Sequence, residues 1–119
     1  MNIRITLPNG EATGEIIDSP AGRELSSVLP LTLTMGDLFE REKMGPLPEA
    51  LANVADTVEA YTVGQIAYWA PSQDIVFFYA DTGDLSIPEP GIVHLGTITT
   101  GLDLIAAAGD PFTMTIEKA

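Results

Sequence analysis

Three stretches of this chain alternate apolar side chains with polar ones: IRITL from Ile3 to Leu7, LTLTM from Leu31 to Met35, and FTMTI from Phe112 to Ile116. A period of two puts the apolar set on one face of a strand and the polar set on the other, so each stretch predicts a strand with one buried face. Turn and helix signals fall between them. Pro8-Asn9-Gly10 makes a turn, and ATGEII returns as the second arm of a hairpin. Ser19 is a good helix N-cap, Pro20 suits the first helical position, Leu25, Val28 and Leu29 share one face, and Pro30 stops the helix.

Residues 36–58 are less regular. EREKMGPLP is polar and then broken by Gly and Pro, and PEALANVA reads as a turn or two of helix. Strand signals resume in TVEAYTVGQIAYWAP and DIVFFYA, and DTGDLSIPEPG is a loop. IVHLGTI is a further strand, and GLDLIAAAG a short helix with Gly109 placed to end it. The expected fold is mainly β, with about eight short strands and two or three short helices. A closed or partly open barrel accounts for that pattern because closure removes exposed sheet edges.

A length of 119 residues predicts a single domain over 1–119, and a hydrophobic content of 45% supplies a core without metals or disulfides. The absence of cysteine excludes a disulfide scaffold and a thiolate zinc site. MNIRITLPNG lacks a signal peptide's continuous apolar run, and no run approaches a membrane span, so a soluble, cytoplasmic protein is expected. Seventeen acids against five bases give a net charge of −12, which repels phosphate backbones and anionic lipids. Nucleic acid and membrane are therefore not expected partners. The acidity reads first as solubility, with a basic or cationic partner as the alternative.

The order of elements resembles that of the cyclophilins. GQIAYWA is similar to their strand that begins with glycine, DIVFFYA to the strand built on a Phe-Phe pair, and GIVHLGTITTGLDLI to their segment with glycines five residues apart and a helix after it. LPLTLT, the EK followed by LPEAL, VGQIAYWAP and GIVHLGTI together resemble the small bacterial and archaeal cyclophilin-like proteins of unassigned function. The likeness spans nearly the whole chain and implies a cyclophilin-like barrel.

Cyclophilins rotate the bond before proline against a barrier of about 18–20 kcal/mol. They use an apolar pocket and an arginine that hydrogen-bonds the prolyl nitrogen. By the resemblance, the pocket histidine falls at Ile92, the pocket tryptophan near Ile87, and the second phenylalanine of the pair at Phe78, while Trp69 falls near small pocket residues and would partly fill the groove. Phe39 and Arg41 have the spacing of the family's Phe-His-Arg segment, but Arg41 lies too close to Gly64 in the chain for that match. Prolyl isomerase activity is thus not expected. The groove candidates are Arg41, Trp69, Phe78, Ile87, Ile92 and His94.

His94, the only histidine, has no G-x-S-x-G elbow or H-E-x-x-H motif beside it. It lies two residues beyond Ile92, on the same strand face if no bulge intervenes. Asp81, Asp84 and Glu89 lack the spacing of a calcium loop and read as a solvated loop. No catalytic residue, metal site or cofactor is assigned. The leading expectation is a non-catalytic module that binds a small molecule or a protein, with a homo-oligomer left open. The alternatives are a hydrolase or amidohydrolase-like enzyme using the groove around His94, and a degenerate prolyl isomerase.

Overall fold

The computed structural model describes all of residues 1–119. Eight strands run in the order β1 Asn2–Leu7, β2 Gly10–Ile16, β3 Leu31–Leu38, β4 Glu42–Pro46, β5 Gln65–Trp69, β6 Asp74–Phe78, β7 Val93–Thr100 and β8 Phe112–Lys118. They close into an antiparallel barrel, β1-β2-β7-β5-β6-β4-β3-β8, with β8 returning to β1. Helix α1, Pro20–Ser27, follows β2, and the short helix α2, Leu102–Ala106, follows β7. Neither is long and apolar enough to cross a membrane.

The barrel interior is filled by the alternating side chains. Ile3, Ile5 and Leu7, then Leu33 and Met35, then Phe112, Met114 and Ile116 are all buried in one cluster. Their strands are direct neighbours in the sheet, with Ile5 opposite Ile116 and Leu33 opposite Met114. Closure depends on a close approach at Gly96, where a Cβ would lie 2.0 Å from the Glu15 carbonyl oxygen of β2. Only glycine allows β2 and β7 to pair there.

Helix α1 begins as its sequence predicts: Ser19 is extended, and its Oγ accepts from the Gly22 N–H at 3.0 Å. Three other expectations are corrected. PEALANVA forms no helix; residues 47–58 are an extended segment held against α1 by Glu24, whose carboxylate accepts from the N–H groups of Ala52 and Asn53. Those fixed acceptors satisfy backbone groups that a helix would have satisfied internally. The long strand expected in TVEAYTVGQIAYWAP shrinks to β5, and Val58 and Ala60 make only isolated bridges, to Ile92 and Ser86. The segment EKMGP, read as polar and irregular, is strand β4.

Candidate functional site

The strands β5 and β6 bury both faces. Ile66, Tyr68, Ile75 and Phe77 point into the barrel, whereas Ala67, Val76 and Phe78 point outward into a second apolar cluster with Tyr61, Ile87 and Ile92. A strand buried on both sides needs a second layer, and here the layer is the loop chain between β4 and β5 and between β6 and β7. Tyr61 stacks on Phe78 with ring centroids 4.2 Å apart, and its hydroxyl donates to the Ala80 carbonyl at 2.8 Å.

This outer layer leaves a groove of about 360 Å³. Phe78, Ile87 and Ile92 lie against it, Trp69 and the 71% exposed Phe39 stand at its sides, and Arg41 and Glu42 supply its charge. Pairing explains the placement: Glu42 of β4 is directly opposite Phe78 of β6, and Met44 is opposite Val76. The turn from β3 to β4 therefore carries Phe39 and Arg41 to the end of β6, where the Arg41 carbonyl accepts from the Tyr79 N–H at 2.9 Å.

The Arg41 guanidinium lies 5.4, 5.2 and 5.8 Å from the ring centroids of Phe39, Tyr61 and Phe78. Its Nε donates to Oε1 of Glu42 at 2.9 Å, and Nη2 donates to the same oxygen. Glu42 is 5% exposed, and burial pushes its carboxyl above the usual carboxylate range, with Asp37 and Asp74 adding to the rise and Arg41 opposing it. Its second oxygen, Oε2, has no partner within the protein; since no buried polar side-chain atom is left unpaired, that oxygen keeps access to solvent on a residue that lines the groove.

Of the sequence candidates, Arg41, Trp69, Phe78, Ile87 and Ile92 line this one groove. The separation of Arg41 from Gly64 along the chain argued against a pocket role, yet hairpin geometry rather than chain distance brings its guanidinium over Phe78. His94 is corrected: it lines a different pocket, of about 340 Å³, with Asn53, Asp56 and Val58. Ile92 and His94 do share the outer face of their strand, but Val58 pairs with Ile92 and the segment leading to it parts the two cavities.

The hydrogen bonds of His94 also fix its chemistry. Oε1 of Gln65 accepts from the Thr62 N–H at 3.0 Å, so its amide nitrogen faces Nδ1 of His94 at 2.9 Å and donates to it. In the neutral ring the proton then sits on Nε2, and neither nitrogen keeps a free lone pair. His94 is placed to donate a hydrogen bond, not to act as a base.

The loop acids stay apart. Oδ1 of Asp81 accepts from the Gly83 N–H, and Oδ1 of Asp84 from the Ser86 N–H and hydroxyl, both in exposed turns. No group of three metal-ligating side chains gathers anywhere in the fold.

Glu42 is a groove residue that sequence reasoning did not single out, and Phe39, noted there only for its spacing from Arg41, is another groove residue. The Phe39–Arg41 spacing was the one available signal, since a charge beside an arginine says nothing of burial.

The search of curated proteins returns no match. Among solved structures, the fold is similar to the solution structure of the hypothetical protein AF2241 from Archaeoglobus fulgidus, with a TM-score of 0.80 and 22% identity over 100% of this chain and 95% of that one. That likeness shows the fold. The family model for the cyclophilin-like family matches residues 5–117, and on that match over a closed eight-stranded barrel the chain belongs to the cyclophilin-like family.

Proposed function

We propose that the protein is a non-catalytic ligand-binding module whose site is the outer groove. The observation that carries this reading is the convergence of Arg41, Trp69, Phe78, Ile87 and Ile92 on one cavity of about 360 Å³. A concave, largely apolar surface with a few convergent polar groups is what a small ligand or an inserted side chain requires. Against catalysis stands the engagement of the groove's one cation: the Arg41 guanidinium donates twice to Glu42. The carboxylate offsets the charge of that guanidinium, which weakens the N–H groups left on Nη1 and Nη2 as donors to a prolyl nitrogen.

The hydrolase alternative rests on His94 as the base of the groove. His94 lines another pocket, and Gln65 occupies the lone pair of its Nδ1. The isomerase alternative is favoured by one observation, the approach of Arg41 to within 5.8 Å of the Phe78 ring centroid.

The test is an NMR titration of labelled protein with a Xaa-Pro peptide, following amide shifts and the peptide's cis–trans exchange together. Shifts at Phe78 and Trp69 without faster exchange would support a binding groove without a catalyst. Faster exchange would overturn the non-catalytic reading in favour of an isomerase. With neither change, prolyl peptides are not its ligands, and the groove reading then stands or falls on the small molecules named next.

A further inference from the structure

The groove contains an acceptor without a donor. Glu42 is almost fully buried, its Oε1 takes both guanidinium contacts, and its Oε2 is unpaired and still accessible on a residue that lines the groove. Asp74, 4% exposed, stands behind the groove-lining Ser72, whose hydroxyl donates to it. One buried carboxylate thus pairs with the guanidinium, and a second is buried further along β6, opposite Pro46. The exposed Asp81 and Asp84 add negative charge in the loop that bonds Tyr61 at Ala80 and Leu85, under the ring that Arg41 rests over.

Aromatic faces complete the picture. Arg41 already rests over Phe39, Tyr61 and Phe78, so these rings accept a cation at close range, and Trp69 lines the cavity with no cation over it. Aromatic rings and an unpaired carboxylate oxygen within one groove are the chemistry that recognises an ammonium group on an apolar body. A carboxylate ligand would meet Glu42 with the groove's only cation already paired to it. A net charge of −12 also draws cations towards the surface.

We infer that the ligand of the groove, on the binding reading above, is an organic ammonium ion: its apolar body rests on Phe78, Ile87 and Ile92, and its nitrogen donates to Oε2 of Glu42 beside the face of Trp69. A prolyl amide nitrogen carries no hydrogen and leaves that oxygen unpaired.

Three ligands of nearly one shape test this: cyclohexylammonium, cyclohexanol and cyclohexanecarboxylate, titrated into labelled protein at matched ionic strength. The ammonium ion should shift the amides of Glu42, Trp69 and Phe78 with a Kd at least about tenfold below that of cyclohexanol. Equal binding of cyclohexanol, or tighter binding of the carboxylate, would overturn the ammonium assignment and leave the groove reading standing. Shifts from none of the three at groove residues would overturn both. Glu42→Gln should erase the preference for ammonium while cyclohexanol still binds; retention of the preference would refute the role of Glu42. Because that substitution leaves a guanidinium short of its partner and can impair folding, the wild-type pH profile gives a second readout. The preference should fade as pH drops through the raised pKa of Glu42, and a preference unchanged there would refute its role equally.

Discussion

Gln65 donates to Nδ1 of His94 from the adjacent strand at 2.9 Å, and the Thr62 N–H fixes which end of the amide does so. The pair converts the one histidine of the chain from a possible base into a hydrogen-bond donor. Long-range proton–nitrogen NMR spectra of the neutral ring should accordingly show the proton on Nε2. A spectrum of the Nδ1–H form would mean that the amide is turned round and that Nε2 offers a lone pair to the second pocket.

A second polar arrangement lies inside the barrel wall. Lys43 is 3% exposed; its Nζ donates to the Gly109 carbonyl at 2.6 Å and pairs with Oδ1 of Asp37 at 3.2 Å. Burial pushes Asp37 up, but the Tyr79 hydroxyl, the Glu40 N–H and Lys43 outweigh it and hold the carboxyl below its usual range. Burial and the Asp37 charge in turn push the Tyr79 hydroxyl well above the usual phenol value. Asp37→Ala should cost about 3–5 kcal/mol, because it leaves a buried ammonium without its counter-ion. Adding Lys43→Met should recover much of that loss in urea denaturation. If the double substitution is as unstable as the single one, the pair is not what holds this corner together.

The acid side of the stability curve is expected to carry the signature of Glu24. Hydrogen bonds from the Ala52 N–H, the Asn53 side chain and the Asn53 N–H hold its carboxyl below the usual value. The folded pKa lies below the unfolded one, so the unfolded chain takes the proton first. The contribution is therefore present above the unfolded value, about 4.3, and is lost as pH falls through the folded value. The amide shifts of Ala52 and Asn53 should titrate together with the Glu24 carboxyl carbon, below about 4.3. Titration at or above that value would show that the segment is not held by this carboxylate.

What the sequence conveyed and what it concealed follow from where each signal resides. Alternation is local, so Ile3, Leu33 and Met114 could be assigned to the barrel interior. The strand β4 was hidden because Glu42 and Lys43, two charges side by side, read as solvated. Their partners are Arg41 and, from other elements, Asp37 and Gly109, which only the fold brings within reach. His94 was misplaced for a different reason. Period two gives its face correctly, but the cover over that face comes from residues 53–58, where local pattern reads the end of a helix through Ala55 and the start of a strand at Thr57. Leu51 and Val54 have helical spacing, and the segment instead packs them on the barrel while Glu24 takes its free N–H groups.

The turn that carries Phe39 to the groove is strained. Phe39 and Glu40 have φ of 61° and 52°, the left-handed region that side chains with a Cβ disfavour, while the Leu38 carbonyl accepts from the Arg41 N–H to close the turn. Asn-Gly is the pair suited to two such residues in a hairpin. Replacing Phe39→Asn and Glu40→Gly together should raise stability by about 1–2 kcal/mol in urea denaturation, and the N–H at position 40 remains available to Asp37. The same change removes the exposed ring beside Arg41, so cyclohexylammonium should bind more weakly to the stabilised protein. Backbone strain of this kind persists where the surroundings over-determine it, often at a binding site. If stability rises and binding is unchanged, Phe39 is not part of the ligand's surroundings. If stability does not rise, the turn is relaxed with its native residues and the left-handed pair has no cost to explain.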